Sequence, residues 1–257
     1  MGSNISEILH GGYVYANTDN SQHTPPPYIV DTTDMYPPTL FVSKLINRIA
    51  KIMCERKEKM DTQTNAQTFK ELCLNKIGRQ GIKELLDYLE NNTDFFDAPC
   101  STRYHLSVEG GLVYHSLHVY QKFNTLCKTF YPIFPEESIA ICALFHDLCK
   151  YHCYDPCKRS RKTGRTLPNG KPEWEDYMGY EFSEEFPYGH GEKSVYLLQK
   201  FIKLTDEEAM AIRWHMGYSD ATFKGGMQSV SNAMKIYPVI ALLHSADMIA
   251  TSQEDTE

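Results

Sequence analysis

Six side chains between 115 and 247 have the chemistry of a metal site: His115, the adjacent pair His146-Asp147, His190, His215 and Asp247. Neutral imidazole and carboxylate bind Fe, Mn, Ni, Co, Zn or Mg, and a histidine-rich set favours the borderline transition metals over Mg. Each of the six falls on or beside a segment of helical periodicity, and helices that turn such groups inward can enclose one or two cations. The pair His146-Asp147 carries the most weight. It follows the apolar run Ile139–Phe145, so a carboxylate and an imidazole are delivered into a core, where an unpaired charge is very unfavourable. A metal would remove that penalty. The simpler reading pairs Asp147 with Lys150 and leaves the histidines satisfied in the core or at the surface. It is the better reading for any single histidine, but not for the four histidines and two aspartates together.

The elements that must position these residues are mostly helical. Apolar residues recur at helical spacing from Leu40 to about Glu90 (Phe41, Leu45, Ile49, Ile52, then Ile82, Leu85, Leu86, Leu89), with a polar stretch around Asp61–Thr68 between the two groups. The same period predicts helices over roughly 111–130, 136–152, 191–202, 206–216 and 238–251. Pro135 at an N1 position before Glu136 and Glu137 suits a helix start, and Thr205-Asp206-Glu207-Glu208 reads as a capping box on a helix that Gly217 ends. Between Tyr151 and Tyr188 the connection is too long for a plain helix–helix loop. Its centre, Leu167-Pro168-Asn169-Gly170-Lys171, holds an Asn-Gly turn signal, with a basic limb before it and an acidic limb after it. The expectation is an all-α helical bundle with a β-hairpin inserted at about 158–178, its limbs pairing opposite charges. Residues 1–38, broken by Pro25-Pro26-Pro27 and Pro37-Pro38, read as an extended proline-rich arm, 39–95 as N-terminal helices packing on the core, and 96–257 as the domain that carries the six residues.

The chain has 257 residues, 42% hydrophobic and 23% charged, which excludes a disordered polyampholyte and a collagen-like chain. A formal net charge of −7 argues against broad electrostatic affinity for nucleic acid or anionic membrane. The longest apolar stretches, such as Tyr237–Leu243, fall far short of the roughly 20 residues a bilayer span needs, so no membrane partner is expected. The N-terminus lacks a basic region and a continuous apolar core, and the expected location is cytoplasmic. Eight cysteines are then read as reduced thiols, mostly in the core. Cys149, Cys153 and Cys157, spaced by four, lack the Cys-x-x-Cys knuckle of structural zinc.

The segments Gly110-Gly111-Leu112-Val113-Tyr114-His115-Ser116-Leu117, Ala143-Leu144-Phe145-His146-Asp147-Leu148-Cys149-Lys150, Gly189-His190-Gly191-Glu192, Trp214-His215-Met216-Gly217 and Leu243-His244-Ser245-Ala246-Asp247-Met248-Ile249-Ala250 resemble the HD superfamily of metal-dependent phosphohydrolases. The likeness runs from about Tyr104 to Ala250, and the order His, His-Asp, His, His, Asp is similar to the branch that holds two metals. It is also similar to the HD domain of bacterial 3′-to-5′ exoribonucleases, although helices, not a nucleic-acid-binding β-barrel, are expected ahead of it. Cys149 stands where the family often has Gly in His-Asp-x-Gly-Lys.

The resemblance implies an HD domain over 96–257 with two divalent metal ions. His115, His146, Asp147 and Asp247 would hold one, and Asp147 would bridge to a second held by His190 and His215. It implies a phosphohydrolase, a phosphodiesterase or a phosphatase/nucleotidase, that cleaves a phosphoester of a nucleotide or short oligonucleotide with a metal-bridging hydroxide. Asp147 and Lys150 are the catalytic candidates. Lys150, four residues after His146 and so on the same side of one helix, could bind phosphate. His118 and His244 each share a helix face with an expected ligand, and His105 precedes the first ligand by ten residues; His118, His105 and Arg161 of the basic limb are substrate-binding candidates beside Lys150. The expected partner is a phosphorylated small molecule, nucleotide in class, with short single-stranded nucleic acid as a further option because aromatic Trp174, Tyr177 and Tyr180 accompany the basic limb. The alternative is a non-catalytic HD-fold module that senses a nucleotide or docks a partner.

Overall fold

The computed structural model describes residues 61–103, 105–219 and 223–254. The expected arm over 1–38 and the helix expected from Leu40 lie outside the described residues. The polar stretch at Asp61–Thr68 is itself helical from Thr62. It is the first half of α1 (Thr62–Lys76), because the Asp61 carboxylate accepts from the Thr64 amide at 3.1 Å and caps it, while the buried Phe69 and Cys73 come later. Helix α2 (Ile82–Asn92) buries Ile82, Leu85, Leu86 and Leu89, the face the periodicity predicts.

Helix α3 (Gly111–Phe130) packs against both α4 (Glu136–Phe145) and the last helix, α8 (Val239–Glu254). From Ser138 to Phe145 every residue of α4 is buried, so it runs through the core. Phe145 meets Phe69 edge-on at 5.5 Å between centroids, and Phe69 meets Phe95 in the same way at 5.4 Å. Helices α5 (His190–Leu198) and α6 (Asp206–Arg213) close the bundle, and α7 (Phe223–Ile236) precedes α8. The capping box at Thr205 and Glu208 is formed, and the same Glu208 carboxylate accepts from Arg79 Nη1 at 2.6 Å and Ser138 Oγ at 2.6 Å. One buried carboxylate thus ties the turn after α1 to α4 and α6.

Three helices end earlier than their periodicity predicts. Helix α4 stops at Phe145 rather than 152 and gives way to a 3-10 turn, Leu148–Lys150; α5 stops at Leu198 rather than 202, and α6 at Arg213 rather than 216. Pro135 is the N-cap, one position before the expected N1. Helix α7 was not expected at all, since Gly225-Gly226 and several Ser and Asn residues lower its helix propensity.

The insertion is a two-stranded antiparallel hairpin, β1 (Tyr154–Thr166) and β2 (Pro172–Phe182), longer at both ends than expected. Its limbs pair opposite charges: Arg161 Nε lies 2.6 Å from Glu175 Oε1 and Arg165 Nε 2.7 Å from Glu173 Oε2. Cys149, Cys153 and Cys157 fall in the 3-10 turn, a loop and β1, so no helical cysteine row exists. The seven described cysteines are free thiols, six of them buried. No single helix among the described residues is long and apolar enough to cross a membrane.

Helix α5 can sit where it does because residue 191 is glycine: a Cβ there would lie 2.1 Å from the Arg213 carbonyl oxygen. The backbones of α5 and of the end of α6 therefore touch. Gly191→Ala is expected to destabilise the protein by about 1–3 kcal/mol, the usual range for overpacking a close contact, read by chemical denaturation.

Candidate metal centre

The break after Phe145 creates the site. His146 is the C-cap of α4, still helical at φ −56° and ψ −38°, and Asp147 leaves the helix at φ −101° and ψ 20°. The last carbonyls of a helix have no amide partner. His146 Nδ1 donates to one of them, the Ala143 oxygen, at 2.8 Å. The end of α6 repeats the device, with His215 Nδ1 donating to the Ile212 oxygen at 2.7 Å. Each bond places the proton on Nδ1, so the Nε2 lone pair is left to face inward. His115 is fixed from outside instead: its Nδ1 is 2.7 Å from Glu254 Oε2, at the end of α8.

The inward-facing atoms converge on Asp147, which is 3% exposed. Its Oδ1 lies 2.7 Å from His190 Nε2 and 3.5 Å from His215 Nε2; its Oδ2 lies 3.3 Å from His146 Nε2 and 3.7 Å from His115 Nε2. Asp247, two α8 turns before Glu254, brings Oδ1 to 3.1 Å from His115 Nε2. The structure therefore gathers all six residues that the sequence reading singled out.

Two overlapping three-residue groups, His115/His146/Asp247 and His146/Asp147/His215, each hold their ligand atoms within 4.8 Å of one another. Among the described residues the Nε2 atoms of His115, His146 and His215 are buried without a hydrogen-bond partner. Three such nitrogens, those of His146 and His215 facing Asp147 and that of His115 lying between Asp247 and Asp147, are what a divalent cation would satisfy, and the C-terminal ends of α4 and α6 add the favourable end of two helix dipoles. Buried His and Asp groups here can hold metal ions.

The charge states fit the same picture. Burial opposes ionisation of Asp147, but Lys150 and the surrounding histidines outweigh it and hold the carboxyl well below the usual range. Burial likewise opposes protonation of His190, yet the Cys149 thiol and the Asp147 carboxylate lift it to about 9. His115 also sits well above the imidazole range, where burial is overcome by Cys100, Asp247 and Glu254. Without a cation, protons supply the positive charge these carboxylates require.

Lys150 reaches the site, but not along a continuous helix. The 3-10 turn carries it, and its Nζ pairs with Asp147 Oδ2 at 2.7 Å, the ion pair of the simpler reading. A cavity of about 440 Å³ opens over the centre, lined by His105, Asp147, Lys150, His190, His244 and Asp247 among others. His105 thus stands at the cavity, whereas His118 faces away from it onto Glu254, at 2.8 Å. The expectation for Arg161 is not met. It is absent from the cavity lining because it sits on the hairpin, where Glu175 takes its charge and Tyr177 lies 5.2 Å beneath its guanidinium.

Three nearby residues, Glu254, Cys100 and Cys149, have no site role in the sequence pattern alone. Glu254 lies buried four residues after Ala250; its carboxyl, whose burial is outweighed by His115 and His118, is pulled down to about 2. Its spacing of seven from Asp247, two helical turns on one face, was the available signal. Cys100, 3.3 Å from His105 Nε2, and Cys149, 3.3 Å from His190 Nδ1, put two thiols beside the centre. His244 donates from Nδ1 to the His215 carbonyl at 2.7 Å, and Gly217, at φ +53°, leaves room for its ring, since a Cβ would come 2.9 Å from His244 Nε2.

Comparison with family models, curated proteins and solved structures found no match.

Three outcomes follow from the geometry. Metal binding at pH 7 is expected to expel protons from His115 and His190, with affinity rising as pH rises toward about 9; calorimetry in buffers of different ionisation enthalpy reads the proton count. Protonated His190 stabilises the metal-free protein fully below its ordinary value near 6.5, a contribution lost as pH rises through about 9, so the metal-free Tm should fall over that interval. Glu254→Gln, which keeps the shape but removes the charge behind His115, is expected to weaken metal binding about 10–100-fold, measured by competition with a chelating dye.

Proposed function

We propose that the protein is a metal-dependent phosphohydrolase of the HD type, acting on a phosphoester of a nucleotide or short oligonucleotide. The observation that carries the reading is the convergence of three buried imidazole Nε2 atoms, none with a hydrogen-bond partner among the described residues, on the Asp147 and Asp247 carboxylates. The order of the ligands along the chain, similar to that of the two-metal HD branch, supports it.

In this reading His115, His146, Asp147 and Asp247 hold one divalent ion, and Asp147 with His190 and His215 a second. Bound ions of this kind activate water at neutral pH and neutralise charge on phosphoryl oxygens. Fe, Mn, Ni, Co, Zn and Mg remain the candidates, with the imidazole-rich set favouring the transition metals. The chain's own residues do the rest. Asp147, kept ionised by its neighbours, is the shared anion around which the ligands are ordered. Lys150, whose ammonium is held charged although burial opposes it, stands at the cavity wall where it can exchange its Asp147 contact for a phosphoryl oxygen. His105 and His244 line the same cavity and offer further contacts to substrate. His118 and Glu254 act behind the ligands, orienting His115.

A second reading has one specific observation in its favour. Lys150 gives Asp147 a counter-charge at 2.7 Å with no metal at all, as a non-catalytic nucleotide-sensing or partner-binding module would require.

Elemental analysis of protein purified without added metal or chelator, with turnover of phosphomonoesters, cyclic nucleotides, nucleoside triphosphates and short RNA, separates the two. Near two transition metals per chain and hydrolysis of one substrate class are expected, both lost in Asp147→Ala. Hydrolysis that survives Asp147→Ala would overturn the mechanism, and nucleotide binding without turnover under any metal would favour the module.

A further inference from the structure

A second cavity, of about 410 Å³, lies between the end of α2, the Tyr151-His152 segment, the loop after β2 and α5. Small-molecule pockets run from roughly 300 to 1,000 Å³. Its walls are aromatic on two sides. On one, Tyr88 packs against Tyr151 at 6.4 Å and Phe201 at 5.1 Å between centroids. On the other, Phe186 and Tyr196 line the cavity 5.5 Å apart and Tyr188, next to the lining, stacks on Phe186 at 5.3 Å, the three rings 42%, 43% and 53% exposed in that order. Three large rings gathered on one face and left this open are a surface that a flat ligand would cover.

The lining has two lysines against one glutamate. Lys193 is engaged by Glu184 at 2.9 Å, but Lys200 lies over the Tyr196 ring at 4.5 Å and has no carboxylate within ion-pair distance among the described residues. A cation held over an exposed ring is the pairing that binds a planar aromatic carrying an anionic group. His152, also in the lining, has a left-handed backbone at φ +53°, held by its amide donating to Asp94 Oδ1 at 2.7 Å. A non-glycine residue pays conformational energy for that geometry, and such residues concentrate at ligand sites.

We propose that this cavity is a separate binding site for a mononucleotide, with the base against the Phe186/Tyr188/Tyr196 cluster and the phosphate at Lys200. The assignment is independent of the phosphohydrolase reading and uses none of the metal ligands. Helix α5 nevertheless begins with His190 at the metal centre and carries Lys193 and Tyr196 at the cavity, so an occupant would bear on the element that places one ligand.

The test is calorimetric titration of the full chain with adenosine 5′-monophosphate. Binding is expected in wild type and retained in Asp147→Ala, weakened at least about tenfold by Tyr196→Leu and by Lys200→Glu, retained by Tyr196→Phe, and at least about tenfold weaker for adenosine. Thermal melting and metal content, unchanged in the Tyr196 and Lys200 variants, exclude a folding defect. The proposal is overturned if no nucleotide binds the folded protein, if Tyr196→Leu and Lys200→Glu leave affinity unchanged, or if adenosine binds as well as the monophosphate. Loss of binding in Asp147→Ala alone would place the nucleotide at the metal centre instead. Failure to detect hydrolysis leaves this site standing, and failure to bind here leaves the metal centre standing.

Discussion

A carboxylate at the bottom of a helical core must stay charged, and the fold around Asp147 is organised by that requirement. Transfer of an unpaired charge into a protein interior is costly enough that the group would take up a proton instead. Here the opposite holds, because four imidazoles and the Lys150 ammonium stand within 3.7 Å of its oxygens. Those groups come from five different parts of the chain, so the charge is compensated only when α3, α4, the 3-10 turn, α5 and the end of α6 are assembled. The site and the fold are therefore one cooperative unit.

Helix ends do most of the positioning. A helix that terminates inside a core leaves carbonyl groups in need of donors, and in α4 and α6 the donor is a histidine three residues on. One bond therefore satisfies a carbonyl, selects the tautomer and turns Nε2 toward the centre. His115 sits mid-helix, where the carbonyls are already used, and takes its partner from α8 in the form of Glu254. The difference explains why a buried glutamate is needed behind that histidine and not behind the other two.

The hairpin stands apart from this economy. Its charged side chains pair across the strands, and Trp174 and Phe182 stay exposed at 57% and 60%. Exposed ion pairs of that kind contribute at most about 1 kcal/mol each. Of its basic limb, Arg161 and Arg165 are thus answered by Glu175 and Glu173 of the partner strand, while Lys162 lies over the exposed Trp174 ring at 5.6 Å.

Much of the helical bundle could be read from periodicity alone. Helix α3 spans Gly111–Phe130 as its apolar spacing requires, the capping box at Thr205 and Glu208 closes as written, and the Asn169-Gly170 turn brings oppositely charged limbs together. The six metal-type residues were legible too, because imidazole and carboxylate beside apolar helical segments have few inexpensive explanations. What residue types and spacing could not convey is direction. The stop of α4 at Phe145 depends on a hydrogen bond from His146 back to Ala143, and periodicity continues smoothly through it, so Lys150 was assigned the right destination by a helix that is not there. Arg161 was legible as a cation and illegible as a partner of Glu175, since only strand register sets that pair. Glu254, Cys100 and Cys149 acquire their meaning from residues up to 139 positions away. Local sequence specifies which groups can ionise, ligate or turn a helix, while burial and the approach of distant segments decide which of them meet, and that is a property of the packed chain.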